Sequence, residues 1–187
     1  MISFAFPRGR RNLSIAALYG AIVAQARTPA FYRHWGVPDT VSARIDMIVL
    51  HLVLLLRRLR QMPDSGGTVG QQLFDTFCRD MDDNFREMGV GDLKVPKEMR
   101  RIAEAFYGRA RVYDGALDAA DDAALAAAIA RNVFGAADPP PGASRLAAYM
   151  RATARRLADQ PNAALLHADL AFPDSQALAA EFSREGT

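Results

Sequence analysis

An all-α chain, folded as a single-domain bundle of about seven or eight helices around a central apolar helix, follows from three features of these 187 residues. Apolar residues recur at spacings of three and four. Alternating apolar–polar runs are absent. Ala, Leu and Arg are abundant where Val, Ile and Thr are sparse, a bias toward helix formers. The length suits one domain with a sizeable core. Half of the residues are apolar and 24% are charged, which separates the chain from disordered and membrane-spanning classes.

The elements follow in order. An N-terminal tail, residues 1–12, carries Ile2, Phe4 and Phe6, then Arg8, Arg10 and Arg11; it is either a contact for an anionic bilayer surface or a frayed end. Arg10-Arg11 before the apolar stretch Leu13 to Ala26 imitates an export signal. The competing reading is an amphipathic first helix from about Ser14, its cap, to Arg27, with Ala17, Leu18, Ile22 and Val23 at helical spacing. Thr28-Pro29 opens a short helical turn carrying Phe31, Tyr32 and Trp35. Asp39 or Thr40 caps the next helix, which ends near Gln61, before Pro63. From Ile45 to Leu56 it is apolar nearly all round, so it belongs in the middle of the bundle. Its ten-residue apolar run, Met47 to Leu56, contains His51 and is half of what a bilayer span needs.

Asp64 to Gly67 reads as a loop. The helix from Thr68 to Met88 is amphipathic, with Leu73, Phe74, Phe77, Cys78, Met81, Phe85 and Met88 on its apolar face and Gly89 as its stop. Pro96 restarts a helix whose stripe includes Met99, Ile102, Phe106, Ala110, Tyr113 and Leu117. Asp121 or Asp122 caps an Ala-rich helix ending near Gly135. The core, residues 13–137, is followed by a proline-rich linker, 138–142. Residues 143–187 form a helix from Ser144 to Ala158 and two short ones, packed on the same core.

Charge is uneven. Residues 1–38 hold five arginines and no acid, whereas residues 65–95 hold six acids against three bases. On the Thr68–Met88 helix, Asp75, Arg79, Asp82 and Arg86 form one stripe whose i,i+4 pairs mark a solvated face. Asp80, Asp83 and Glu87 form a second stripe without a cation of its own. It has three readings: an ion-pair seam with Lys94, Lys97, Arg100 and Arg101, a partner-facing acidic strip, or a carboxylate metal site. The last lacks the Glu-x-x-His pairs of di-iron bundles.

No catalytic, cofactor or metal residues are assigned. His51 lies among leucines with no sequence-adjacent acid or nucleophile. Cys78 is the single cysteine, which excludes an internal disulfide and any CxxC metal pattern; a buried thiol is expected. Phosphate-binding glycine motifs are absent, and arginines beyond residue 38 are dispersed among acids, against nucleic acid binding.

Three stretches resemble a known family. They are Phe31-Tyr32 with Gly36 to Thr40, Arg44 to Met47 and Leu50-His51; Leu73-Phe74-Asp75 with Asp80-Met81-Asp82, Arg86 to Leu93 and Val95-Pro96-Lys97; and Ala105-Phe106-Tyr107-Gly108-Arg109 with Tyr113-Asp114 and Ala116-Leu117. Together, over roughly residues 15–135, they resemble the ubiquinol–cytochrome c chaperone family in its short bacterial form. The resemblance implies a non-catalytic factor that engages newly made cytochrome b during assembly of the bc1 complex, with a small co-chaperone subunit as a further partner. It also implies that the first helix is retained, for a protein in the cytoplasm at the inner membrane surface and not exported. The residues expected to touch a partner are Phe31, Tyr32, Trp35 and Tyr107 for apolar contact, Asp80, Asp83 and Glu87 for charge, and Arg109 beside them. The rivals are a carboxylate-metal enzyme using the acidic helix and His51, a permanent small subunit of a respiratory complex, and an exported protein.

Overall fold

The central helix of the bundle, α3 (Val41–Arg60), is buried without interruption from Asp46 to Leu55. It packs against α1 (Arg8–Ala26), α4 (Gly66–Glu87), α5 (Val95–Asp118) and α7 (Pro141–Asp159). An apolar run with no polar face requires neighbours on all sides, and those four helices supply them. The computed structural model describes residues 8–63 and 65–178, with side chains from residue 15 onward. Among these residues all regular structure is helical, and no helix is long and apolar enough to cross a membrane.

Local chemistry sets the helix ends. The Thr40 hydroxyl accepts from the Ala43 amide at 3.2 Å and starts α3. Asp121 caps α6 (Asp122–Ile129) in the same way, accepting from Ala124 at 2.9 Å. α6 widens into a π-helical turn, Ala130–Phe134, which stops where Gly135 adopts φ of +62° and Ala136 donates back to the Ala130 carbonyl.

Three boundaries differ from the sequence reading. α1 starts at Arg8, so Ser14 lies inside the helix and does not cap it. The proposed bilayer contact by Ile2, Phe4 and Phe6, together with the Arg8, Arg10 and Arg11 side chains, lies outside the described residues.

Gly66, expected in a loop, is the first residue of α4. A Cβ there would lie 1.9 Å from the Leu59 carbonyl oxygen, so only glycine lets α4 turn back so tightly on the end of α3.

The 138–142 segment is not a free spacer. Pro141 is the first residue of α7, and a Cβ on Gly142 would sit 2.0 Å from the Trp35 carbonyl oxygen. The start of α7 is therefore pressed against the loop that follows α2 (Pro29–Arg33). Leu146, Tyr149, Met150 and Leu157 of α7, and Leu165 of α8 (Asn162–Leu166), join the common core. A helical turn at residues 175–178 ends the described chain, and the last nine residues lie outside it.

Candidate partner-binding surface

Within the core, Phe31, Trp35 and Tyr149 meet edge to face, with centroid distances of 5.0 to 5.7 Å. His51 is fully buried beside them. Its Nδ1 lies 2.7 Å from the Met47 carbonyl and its Nε2 lies 2.9 Å from the Tyr149 hydroxyl. A carbonyl only accepts, so Nδ1 carries the proton and Nε2 accepts from Tyr149. Gln25 closes the chain by donating to the Tyr149 oxygen at 2.9 Å. Burial pushes the His51 pKa down to about 4 and holds the ring neutral, while the Met47 carbonyl opposes that shift. Both ring nitrogens are engaged, so His51 joins α1, α3 and α7 and offers nothing to a ligand.

The expected contact residues separate into two groups. Phe31 and Trp35 are enclosed at 0% and 2% exposure, which corrects their assignment as partner contacts; they hold the core together. Tyr32 is half-buried; its hydroxyl donates to the Ala26 carbonyl at 2.8 Å and so caps α1. Arg44 stacks over the Tyr32 ring. Tyr107 is the one aromatic of the four that faces outward, 61% exposed. It stands on a cluster formed with Phe74 and Phe106, at centroid distances of 5.6 and 5.4 Å.

The acidic stripe also divides. Asp80 accepts a hydrogen bond from Tyr19 at 2.6 Å and ties α4 to α1; burial and this bond push the Tyr19 hydroxyl far up. Asp83 and Glu87 are exposed. Among the described residues no ion pair joins Asp80, Asp83 or Glu87 to Lys94, Lys97, Arg100 or Arg101, so the seam reading fails; Arg101 pairs instead with Glu98. On the solvated stripe, Asp82–Arg86 forms at 2.7 Å, but Asp75 takes its bond from Gln71 and not from Arg79. No group of three His, Cys, Asp or Glu side chains among the described residues could hold a metal. Cys78 is half-buried, and desolvation raises its pKa.

Arg109 sits at the base of a cleft of about 320 Å³ between α3 and α5. Ile45 and Val49 from α3 and Ile102 and Ala105 from α5 line it, together with Ser42, Glu98 and Arg101. Arg109 Nη2 lies 2.7 Å from Asp46, whose side chain is 6% exposed. Burial lifts the Asp46 pKa to about 6, against the pull of Arg109 and the Ser42 hydrogen bond. Arg109 Nε is buried with no hydrogen-bond partner among the described residues.

Beside the cleft and beyond the exposed Arg101, the C-terminal half of the outer face of α5 carries small residues. At about 100° per residue, Ala105, Gly108, Val112 and Gly115 fall on one side. Gly108 and Gly115 are exposed, and a Cβ on either would meet nothing within 4 Å. A glycine inside a helix costs about 0.8–1 kcal/mol relative to alanine. Among the described residues nothing packs on these two glycines to offset that cost. Sequence reading missed this face and the Asp46–Arg109 pair. The signals were an acid inside the apolar run of α3 and two glycines seven apart in a helix without a kink.

These features define an all-helical binding scaffold without a catalytic constellation among the described residues. A sequence model of the ubiquinol-cytochrome C chaperone family matches residues 33–172, and the chain belongs to that family. It is a non-catalytic family of chaperones and assembly factors for the bc1 complex. The match begins at residue 33, later than the expected 15, so it leaves out α1 and Phe31-Tyr32, and it runs past residue 135 through α7 and α8. Ubiquinol-cytochrome-c reductase complex assembly factor 1 of Xenopus laevis is 28% identical over 143 residues, which are 75% of this chain and 71% of the frog protein. The Homo sapiens factor of the same name is 29% identical over 125 residues, and the chain spans 42% of its length. The crystal structure of the Cbp3 homolog from Brucella abortus superposes with a TM-score of 0.82 at 36% identity, covering 90% of this chain and 93% of that one.

Proposed function

We propose that this protein binds newly made cytochrome b and holds it while the bc1 complex is assembled. The observation that carries the reading is the outer face of α5. It combines exposed glycines with an adjoining cleft of mixed apolar and charged lining, where Arg109 Nε has no hydrogen-bond partner among the described residues; the exposed Tyr107 stands on the other flank of α5, toward α4. An apolar helix of the client packs along Ala105, Gly108, Val112 and Gly115 and sets one large side chain into the cleft. A polar acceptor on that helix reaches Arg109 Nε. Such helix-in-groove contact draws its affinity from apolar anchors spaced along one helix face.

Asp83 and Glu87, exposed and free of ion pairs among the described residues, steer the positive cytoplasmic loops of the client. Of the residues expected from sequence, Tyr107, Arg109, Asp83 and Glu87 remain the proposed contacts. Phe31, Trp35, Tyr32 and Asp80 support them from within the fold. The protein works at the cytoplasmic surface of the inner membrane as a peripheral factor, and a small co-chaperone subunit is a second proposed partner. The test is affinity capture from membranes during active synthesis of cytochrome b. Wild type recovers cytochrome b; Gly108→Gln with Gly115→Gln, which raises a ridge on α5, recovers little. Equal recovery by both would remove α5 from the account.

A further inference from the structure

We infer that the cleft between the C-terminal half of α3 and the face of α7 is a binding site for a phosphate-bearing ligand, separate from the α5 face. It has a volume of about 240 Å³, and four arginines line it: Arg57, Arg58, Arg151 and Arg155. Its floor is apolar, from Leu54, Leu117, Ala154 and Ala158.

Three of the four guanidiniums are already fixed in place. Arg58 donates from Nε to the Leu157 carbonyl at 2.7 Å and from Nη2 to the Gln160 carbonyl and Asn162 Oδ1. Those bonds cap α7 and leave Arg58 Nη1 without a protein acceptor among the described residues. Arg151 caps α5 through the Ala116 and Leu117 carbonyls and pairs with Asp122. Arg57 is held by Asp114 and Asp118, and Arg60 shares Asp114. Of the four guanidiniums that line the cleft, Arg57 and Arg151 are paired with carboxylates, and Arg58 and Arg155 have no carboxylate partner among the described residues.

The bland account is that these arginines exist to cap helix ends, since each C-terminus carries about half a negative charge. That account covers Arg58 and Arg151 but leaves Arg155, which lines the cleft, is exposed and has no acceptor or carboxylate among the described residues. The capping bonds also help the anion. A guanidinium that is already immobile loses little entropy when it takes up a phosphate oxygen, and its planar fork suits phosphate geometry. An apolar floor under a basic rim fits a phosphate ester better than a bare ion. A free phosphate compound and a lipid headgroup share this chemistry.

The experiment uses the full chain, with Arg155→Ala at the site and Arg33→Ala as a control of equal charge change at an exposed position of α2. One arm follows thermal stabilisation by glycerol phosphate. The other measures co-sedimentation with phosphatidylcholine vesicles, with and without phosphatidylglycerol. The wild type and Arg33→Ala respond alike in at least one arm, and Arg155→Ala loses about fivefold in apparent affinity. Response only to glycerol phosphate assigns a soluble ligand, and response to anionic vesicles assigns a headgroup. No response in either arm overturns the proposal, as does an equal loss in the two variants, which would mean diffuse electrostatic attraction.

Discussion

Replacing both exposed glycines of α5 by alanine, Gly108→Ala with Gly115→Ala, makes the free protein more stable and its client complex weaker. Neither methyl meets another atom within 4 Å, so no steric cost opposes the gain in helix propensity. Gly108 is in the middle of the helix and contributes about 1 kcal/mol; Gly115, near its end, contributes about 0.5 kcal/mol. The two sites lie about 10 Å apart along the axis and share no partner, so their effects add. The sum, about 1.5 kcal/mol, raises Tm by about 3–6 °C for a chain of this length. Urea unfolding followed by far-UV circular dichroism reads the change as a higher midpoint at an unchanged slope. A lower or unchanged midpoint would refute the reasoning, because it would mean that the outer face of α5 is already in contact within the monomer.

Three more perturbations test the scaffold. Tyr149→Phe removes the hydroxyl that serves His51 and Gln25, leaves a fully buried ring nitrogen unsatisfied, and lowers stability by about 2–3 kcal/mol in urea titration. Adding His51→Leu to that variant restores part of the loss, since removing both partners costs less than orphaning one. Gly142→Ala forces a methyl to within 2.0 Å of the Trp35 carbonyl and lowers stability by about 1–3 kcal/mol, read by the same titration.

The pH dependence has a definite sign. The folded pKa of His51 lies below its unfolded value of 6.5, so the unfolded chain binds the proton first and stability falls as pH drops from 6.5 toward 4. Asp46 is shifted the other way, to about 6 from 3.8, so the folded chain binds its proton first and stability rises over nearly the same interval. Asp46→Asn removes the opposing contribution and steepens the acid loss by roughly 2 kcal/mol between pH 6 and 4. Parallel stability profiles for this variant and wild type would contradict the assignment.

The parts of this molecule that local chemistry controls were readable from the chain. An apolar run without a polar face put α3 at the centre, and a Thr or Asp ahead of a helix marked the caps of α3 and α6. Tertiary contacts were not readable. Phe31 and Trp35, on a short helix after a proline, look alike in sequence whether they face solvent or core; the arrival of α7, over 100 residues later, decides the matter. Asp80 finds Tyr19 across 61 residues, and no spacing rule links them. Gly66 and Gly142 read as loop punctuation because sequence shows a missing side chain but not the carbonyl that occupies its place. The acidic stripe was visible, yet only packing shows that one of its three members is engaged within the fold.

The central claim is that α5 receives cytochrome b as it is made. The direct test installs a photoreactive side chain at Tyr107, or at Arg33 on the exposed part of α2, and irradiates cells during synthesis of the bc1 complex. The account predicts a crosslink to cytochrome b from position 107 that fades once the complex matures, and none from position 33. A crosslink to cytochrome b from position 33 alone, or from neither position while assembly proceeds, would contradict it.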